Sequence, residues 1–189
     1  MRLPRVEVNC PEWVDAFVAW DRSIAGDDER MALAIALARE NVERGTGGPF
    51  GAAVFDASTG LVVAAGVNRV VPLENSALHG EMVALMLAEA RLGSFTLGAP
   101  GMARHELVTS CEPCAMCLGA TLWSGVARVV CGATGDDARE LGFDEGPVFH
   151  QSYEYLKARG VEFVHSVRRA EARAVLELYR ERCGPVYNG

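Results

Sequence analysis

The sequence is short of positive charge. Its 189 residues include 18 lysines and arginines against 25 aspartates and glutamates, and the formal net charge at pH 7 is −7. Proteins that bind nucleic acid usually present a basic surface to the phosphate backbone. The acidic balance therefore counts against a nucleic-acid partner.

Long apolar runs are missing as well. No stretch of about eighteen apolar residues is available to span a bilayer. The segment 1–20 carries Glu7, Glu12 and Asp15 where a secretion signal would have an apolar run flanked by basic residues. The sequence therefore predicts a cytoplasmic protein with no membrane partner. Internal repeats and low-complexity segments are also missing, and the length suits one domain with a proper core.

The cysteines are poorly spaced for a disulfide framework. Three of the six fall within seven residues, which is a spacing typical of a metal site. The six are Cys10, Cys111, Cys114, Cys117, Cys131 and Cys183.

The order of predicted elements indicates the fold class. Residues 1–28 form an N-terminal extension that we predict to be helical, because Trp13, Phe17 and Trp20 recur at helical spacing. A helix, two strands, a helix, a strand, a helix and a strand follow, and then a strand–helix tail. This alternation predicts a three-layer α/β/α sandwich around a mixed sheet of about five strands. We place this domain at residues 29–189.

Two short motifs carry the chemistry. The first is His79-Gly80-Glu81, and the second is the segment 113–117, Pro-Cys-Ala-Met-Cys. Cys114 and Cys117 are three apart on a predicted helix and so share one face, and His79 supplies a third ligand. Three protein ligands leave a fourth zinc position for water, and Glu81 is placed to move protons there.

A structural zinc, or cysteines that are merely buried, is the alternative. A structural site needs a fourth protein ligand, for which Cys111 is the candidate. Cys111 precedes Pro113 on a predicted strand-to-helix turn and so need not face the ion. The spacing and Glu81 favour a catalytic zinc. The other histidines, His105, His150 and His165, have no such company and are expected to be surface or hydrogen-bonded residues.

The two motifs together resemble a known family. His-x-Glu followed by Pro-Cys-x-x-Cys is the signature of zinc-dependent nucleobase deaminases of the cytidine and deoxycytidylate deaminase type. The resemblance covers roughly residues 31–147. Within that superfamily the chain is most similar to bacterial guanine deaminases, through the segment 140–145, Glu-Leu-Gly-Phe-Asp-Glu.

The resemblance implies a set of catalytic roles. His79, Cys114 and Cys117 would bind one Zn²⁺ per subunit, and Glu81 would shuttle protons. Glu145 would be a second carboxylate that contacts the base. Zinc-bound hydroxide would be the nucleophile.

The resemblance also implies how the base is held. Phe50 would stack on the purine, Asn68 would hydrogen-bond its ring edge, and Trp123 would line the pocket. Tyr187 would close the site, through a C-terminal tail (about 168–189) that is often swapped between the subunits of a homodimer. On the residues alone, Phe50 and Trp123 are equally consistent with core positions. Asn68 is also consistent with a turn cap, and Glu145 with a solvated loop carboxylate.

The leading hypothesis is hydrolytic deamination of a free aminopurine, guanine to xanthine and ammonia, in purine metabolism. The enzyme alternatives are a tRNA adenosine deaminase, or a deaminase of cytosine or of an amino-triazine such as ammeline. A zinc-stabilised interaction module is the non-enzyme alternative. Such a module would have a closed four-ligand site and no use for Glu81.

Overall fold

A mixed five-stranded sheet forms the middle layer of the protein. The computed structural model describes residues 3–187. The strand order is β2-β1-β3-β4-β5, where β1 pairs antiparallel with β2 and β3, and β4 pairs parallel with β3 and β5. The strands are β1 (Gly51–Asp56), β2 (Val62–Val67), β3 (His105–Cys111), β4 (Arg128–Ala133) and β5 (Glu162–Val164).

Helices cover both faces of this sheet. The described helices are α1 (Trp13–Phe17), α2 (Gly26–Glu43), α3 (Gly80–Leu92), α4 (Ala115–Ser124), α5 (Gly135–Glu140), α6 (His150–Ala158) and α7 (Arg169–Glu181). One apolar core combines residues of α2 and α7 with one face of the strands, and a second combines α3, α4 and α6 with the other face. The predicted α/β/α sandwich is confirmed.

Alternation along the strands divides side chains between the two cores. In β1, Ala53 and Phe55 belong to the core under α2, whereas Ala52 and Val54 belong to the core under α3. Successive side chains of a strand point to opposite faces, so a strand covered on both sides is apolar throughout. This explains why the central strands read as continuous apolar runs in the sequence.

The topology gathers several loops at one edge of the sheet. Since β2 and β3 are both antiparallel to β1, they run in the same direction, and their carboxyl ends lie at the same edge. The start of β1 lies there too, because Gly51 pairs with Val67. The helices α3 and α4 both begin near this edge, on the same face. In such sheets the carboxyl ends of the strands are where ligands bind.

Several boundaries differ from the prediction. The helix predicted from the spacing of Trp13, Phe17 and Trp20 is shorter than expected and ends at Phe17. Trp20 lies outside it and donates its indole N–H to the carbonyl of Asp15 (2.9 Å). The helix α2 starts at Gly26, inside the segment 1–28, and Val14 and Val18 of that segment are part of the core. In residues 3–187, no helix combines the length and apolarity needed to cross a membrane.

The acidic stretch 136–137 lies in α5. Thr134 caps this helix in a capping box with Asp137. The Asp137 carboxylate is 1% exposed and accepts hydrogen bonds from Arg169 (Nε, 2.8 Å) and Arg173 (Nη1, 2.7 Å) of α7. The hydrogen bond from Arg169 is the largest cause that holds the pKa of Asp137 well below its ordinary value, and the bond from Arg173 adds to it. Asp137 therefore ties α5 to α7.

We expect Asp137→Asn to lower the free energy of unfolding by about 1–2 kcal/mol, measured by urea unfolding at pH 7. Asp136→Asn is the matched control, since Asp136 is exposed and pairs with Arg139 at the surface, and it should cost about 0.5 kcal/mol or less.

The difference in stability between wild type and Asp137→Asn should depend on pH. Because the pKa of Asp137 is depressed in the folded state, its contribution is fully present above the unfolded pKa of about 3.9 and declines as the pH falls below it. The difference between Asp137→Asn and wild type should therefore be constant from pH 5 to 8 and shrink below about pH 4. Equal stability of the two proteins at pH 7 would contradict the assignment.

Candidate active site

Three ligating side chains meet at the sheet edge where α3 and α4 begin. The ligand atoms of His79, Cys114 and Cys117 all lie within 4.8 Å of one another. His79 is the residue that precedes α3 and Cys114 the residue that precedes α4, and both have extended backbone geometry. Cys117 lies in the first turn of α4, so the Cys-x-x-Cys spacing turns both sulfurs toward the imidazole.

The hydrogen bonds among these groups favour the ionised form of Cys114. The thiol of Cys117 donates to Cys114, and the His79 Nδ1 lies 3.5 Å from the Cys114 sulfur. These hydrogen bonds, Cys117 first, outweigh burial and lower the pKa of Cys114 to about 4. Burial works to lower the pKa of His79, but the bond to Cys114 and the charge of Glu81 raise it overall. Cys114 is thus a thiolate, the form that binds metal.

The donor set fits zinc with one open position. Two sulfurs and one imidazole are ligands that Zn²⁺ prefers, and three protein ligands are typical of catalytic sites. Cys111 is buried, but its sulfur contacts the carbonyl oxygen of Thr134 (3.5 Å). Within residues 3–187 Cys111 does not join the ligand cluster. Among the residues that the structure describes, the four-ligand alternative therefore has no fourth ligand in place.

Two buried carboxyl groups face this cluster. Burial, followed by the charge of Cys114, raises the pKa of Glu81 to about 7 and that of Glu145 to about 8. A cation held by the three ligands would favour the charged forms. The backbone holds Glu145 in place, because its carbonyl accepts a hydrogen bond from the Ala115 amide (2.9 Å) at the start of α4.

The carboxyl groups and two of the ligands, His79 and Cys114, line a small cavity of about 30 Å³. Its aromatic wall is one contact series: the rings of Phe50 and Phe143 lie 5.1 Å apart, and those of Phe143 and Tyr187 lie 5.3 Å apart. The cavity is lined by Phe50, His79, Glu81, Glu112, Cys114, Phe143, Asp144, Glu145 and Tyr187.

Two buried polar atoms beside the cavity have no hydrogen-bond partner. They are the Asn68 Nδ2 and the Tyr187 hydroxyl. The Asn68 Oδ1 accepts from the Val70 amide (3.2 Å), which leaves the NH₂ group as the free donor. A Cβ added to Gly48 would overlap the Tyr187 hydroxyl and lie 3.0 Å from Asn68 Oδ1, so the two side chains are neighbours across that glycine. Buried donors without partners are costly, so a ligand that accepts from Asn68 would be stabilised.

Comparison with known proteins decides the family. A model described as the cytidine and deoxycytidylate deaminase zinc-binding region matches residues 25–133. The chain belongs to this zinc-binding deaminase family. It is 36% identical over 133 residues to the guanine deaminase of Bacillus subtilis (strain 168), covering 70% of this chain and 81% of that protein.

Solved structures agree over nearly the whole deaminase. A guanine deaminase from Nitrosomonas europaea is 42% identical, with a TM-score of 0.89, and the match covers 94% of this chain and 97% of the other. A further solved structure, in complex with 2,6-diaminopurine, is 43% identical with a TM-score of 0.90 and covers 96% of both chains.

The structure corrects the prediction that Trp123 lines the pocket of this deaminase. Trp123 is 80% exposed and is not among the cavity residues. It follows Cys114 by nine residues, which at 3.6 residues per turn is two and a half turns, so it lies on the opposite side of α4. The other predicted site residues, Phe50, Asn68, Glu145 and Tyr187, do lie at or beside the cavity.

Sequence reasoning missed three residues of the cavity wall, Glu112, Phe143 and Asp144. Phe143 joins Phe50 to Tyr187, and it falls within the Gly-Phe-Asp-Glu stretch that carries the family resemblance. Glu112 lies beside the ligands and accepts hydrogen bonds from the Gly135 amide (2.9 Å) and His165 Nδ1 (2.7 Å). Its position directly before Pro113, two residues from the ligand Cys114, is the sequence feature that indicates a place beside the site.

Proposed function

We propose that the protein removes the amino group of guanine by hydrolysis, giving xanthine and ammonia. The observation that carries the proposal is the pair of buried carboxyl groups, Glu81 and Glu145, in one cavity with an open three-ligand metal site. One carboxylate serves the proton transfers and the other serves recognition of the base. The likeness to guanine deaminases over nearly the whole chain supports this base over others.

Glu81 carries the proton transfers. Zn²⁺, when bound by His79, Cys114 and Cys117, supplies a Lewis acid that makes water acidic at the fourth position. The Glu81 carboxylate accepts a proton from the water that attacks the carbon bearing the amino group. It delivers that proton to the adjacent ring nitrogen, and it hands the remaining water proton to the nitrogen that leaves as ammonia. Water and guanine thus become xanthine and ammonia with all atoms accounted for.

The remaining site residues hold the base. Phe50 offers a ring face to the purine, and the free Asn68 Nδ2 donates to an acceptor on its edge. Glu145 accepts from the N–H groups of guanine, a pattern that a base without those donors cannot satisfy. A cavity of about 30 Å³ has roughly the room of one water molecule, so Tyr187 has to move aside for the base to enter.

Quaternary structure and cellular context belong to the same proposal. Trp123 and Met116 expose apolar surface on α4, and we place the contact between two copies of a homodimer there. Light scattering should give twice the chain mass, and a monomeric mass would contradict this. In the described chain Tyr187 fills its own cavity, so the exchange of residues 168–189 between subunits stays a prediction. All six cysteines are free, which suits a cytoplasmic enzyme of purine metabolism.

The test is ammonia release from guanine, adenine, cytosine, cytidine, guanosine, ammeline and an adenosine-containing tRNA loop. We expect guanine to be turned over with the highest kcat/KM and guanosine to be poor, because a cavity that has to open even for the free base offers little room for a ribose. Activity confined to cytidine or to the RNA would contradict the proposal. A zinc-stabilised interaction module would release ammonia from none of them.

A further inference from the structure

A chain of hydrogen bonds connects the N-terminal segment to the Asn68 loop. The indole N–H of Trp13 donates to the Thr46 hydroxyl (3.1 Å), and the Thr46 hydroxyl donates to Asn41 Oδ1 (2.8 Å). The Asn41 Nδ2 donates in turn to the backbone carbonyls of Gly48 (2.8 Å) and Asn68 (3.0 Å). We call this series the Trp13–Thr46–Asn41 chain.

Both donors of the Asn41 side-chain amide are used. The side chain is 0% exposed, both amide hydrogens go to carbonyl oxygens, and its oxygen accepts from Thr46. Because both acceptors are carbonyls, the orientation of the amide is fixed. A single side chain of α2 therefore joins the loop before β1 to the loop after β2.

These two loops carry the base-binding side chains, and their backbones are closely packed against each other. The Asn68 amide donates to the carbonyl of Phe50 (2.9 Å). A Cβ on Gly47 would overlap the Asn68 carbonyl and lie 2.6 Å from Asn41 Nδ2. A shift of the Asn41 amide is thus passed directly to the backbone of Asn68, and from there to Phe50.

We propose that Asn41 and Thr46 are positioning residues for Phe50 and Asn68, and that Trp13 extends this control to the N-terminal segment. This rests on the proposed function, in which Phe50 and Asn68 hold the base. Glu81 and the metal ligands lie at the starts of α3 and α4 and are not members of the Trp13–Thr46–Asn41 chain. Disturbing the Trp13–Thr46–Asn41 chain therefore weakens binding of the base and leaves zinc and proton transfer in place.

Thr46 offers the sharpest test, because replacing buried Asn41 risks the fold. Thr46→Val keeps the shape and removes the hydroxyl, whereas Thr46→Ser keeps the hydroxyl. We expect Thr46→Val to raise KM for guanine about fivefold, as for one lost hydrogen bond, with kcat within about twofold and zinc content unchanged. Thr46→Ser should restore the wild-type KM.

Trp13→Phe tests the outer end of the chain. The Trp13 ring packs against Phe17 (5.6 Å) and the Arg44 guanidinium (5.4 Å). A phenyl ring can keep both kinds of contact, and it lacks the five-membered ring that carries the N–H donor. KM should rise about twofold to threefold. Trp20→Phe is the matched control, because that indole N–H donates to Asp15 within the N-terminal segment, and its KM should equal that of wild type.

Thermal melting accompanies each measurement. An unchanged KM for Thr46→Val would overturn the proposal. Equal increases in KM for Thr46→Val and Thr46→Ser that follow a fall in melting temperature would also overturn it. If guanine itself is not turned over by wild type, the proposed function fails, and the same four variants are compared on the panel base that is turned over. If no base is turned over, the proposed function and the positioning role of Asn41 and Thr46 both fail.

Discussion

Glu81→Gln is expected to lower guanine deamination by about a thousandfold or more while zinc stays bound. Glutamine has the shape of glutamate, but its amide does not accept the proton of the attacking water at neutral pH. Glu81 lies in the cavity but is not part of the ligand cluster among the described residues, so the metal should be retained. The measurements are kcat with guanine and zinc content per chain.

Glu89→Gln is the control for this substitution. Glu89 is on the same helix α3 but outside the cavity, so the same chemical change there should leave kcat and zinc unaltered. Retention of more than about a tenth of wild-type kcat by Glu81→Gln would remove Glu81 from the proton-transfer role. Loss of zinc from that variant would instead make Glu81 a ligand.

Cys117→Ala is expected to remove zinc and, with it, activity. Loss of a partner that merely orients a ligand costs about 10- to 100-fold in metal affinity or activity, so loss of a ligand should exceed a hundredfold. Metal analysis after dialysis should show about one zinc per chain in wild type and almost none in the variant. The melting temperature should fall with the metal, because binding to the folded state stabilises it.

Cys111→Ala separates the catalytic site from a closed one. Cys111 is as buried as Cys117 and lies in the same seven-residue stretch, but its sulfur contacts Thr134. This variant should keep its zinc and its activity. Loss of zinc from both alanine variants would indicate a four-ligand site and contradict an open position for water.

Much of the site could be predicted because its parts are local. Cys114 and Cys117 share a helix face by their spacing, and His79 precedes an apolar helix, so their convergence required only the order of strands and helices. Trp123 also had a local answer. Its half-turn offset from Cys114 predicts an outward side chain, whereas the family resemblance implied a pocket residue.

Other features depend on tertiary register and could not be predicted. The helices α5 and α6 have few buried residues of their own, so no clear apolar stripe marked them. The contact of Glu112 with His165 depends on where β5 ends relative to β3. The unpartnered Asn68 Nδ2 became visible once the neighbours of Asn68 were known.

The close approach at Gly47 and Gly48 has an evolutionary consequence. A side chain at Gly47 would overlap the backbone of Asn68, so a single substitution there would displace the loops that bear Phe50 and Asn68. Glu145 and Tyr187 lie on a loop and a tail, segments that tolerate change more readily. Relatives that act on a different base should therefore differ from this protein at the positions of Glu145 and Tyr187. They should keep the glycines at the positions of Gly47 and Gly48.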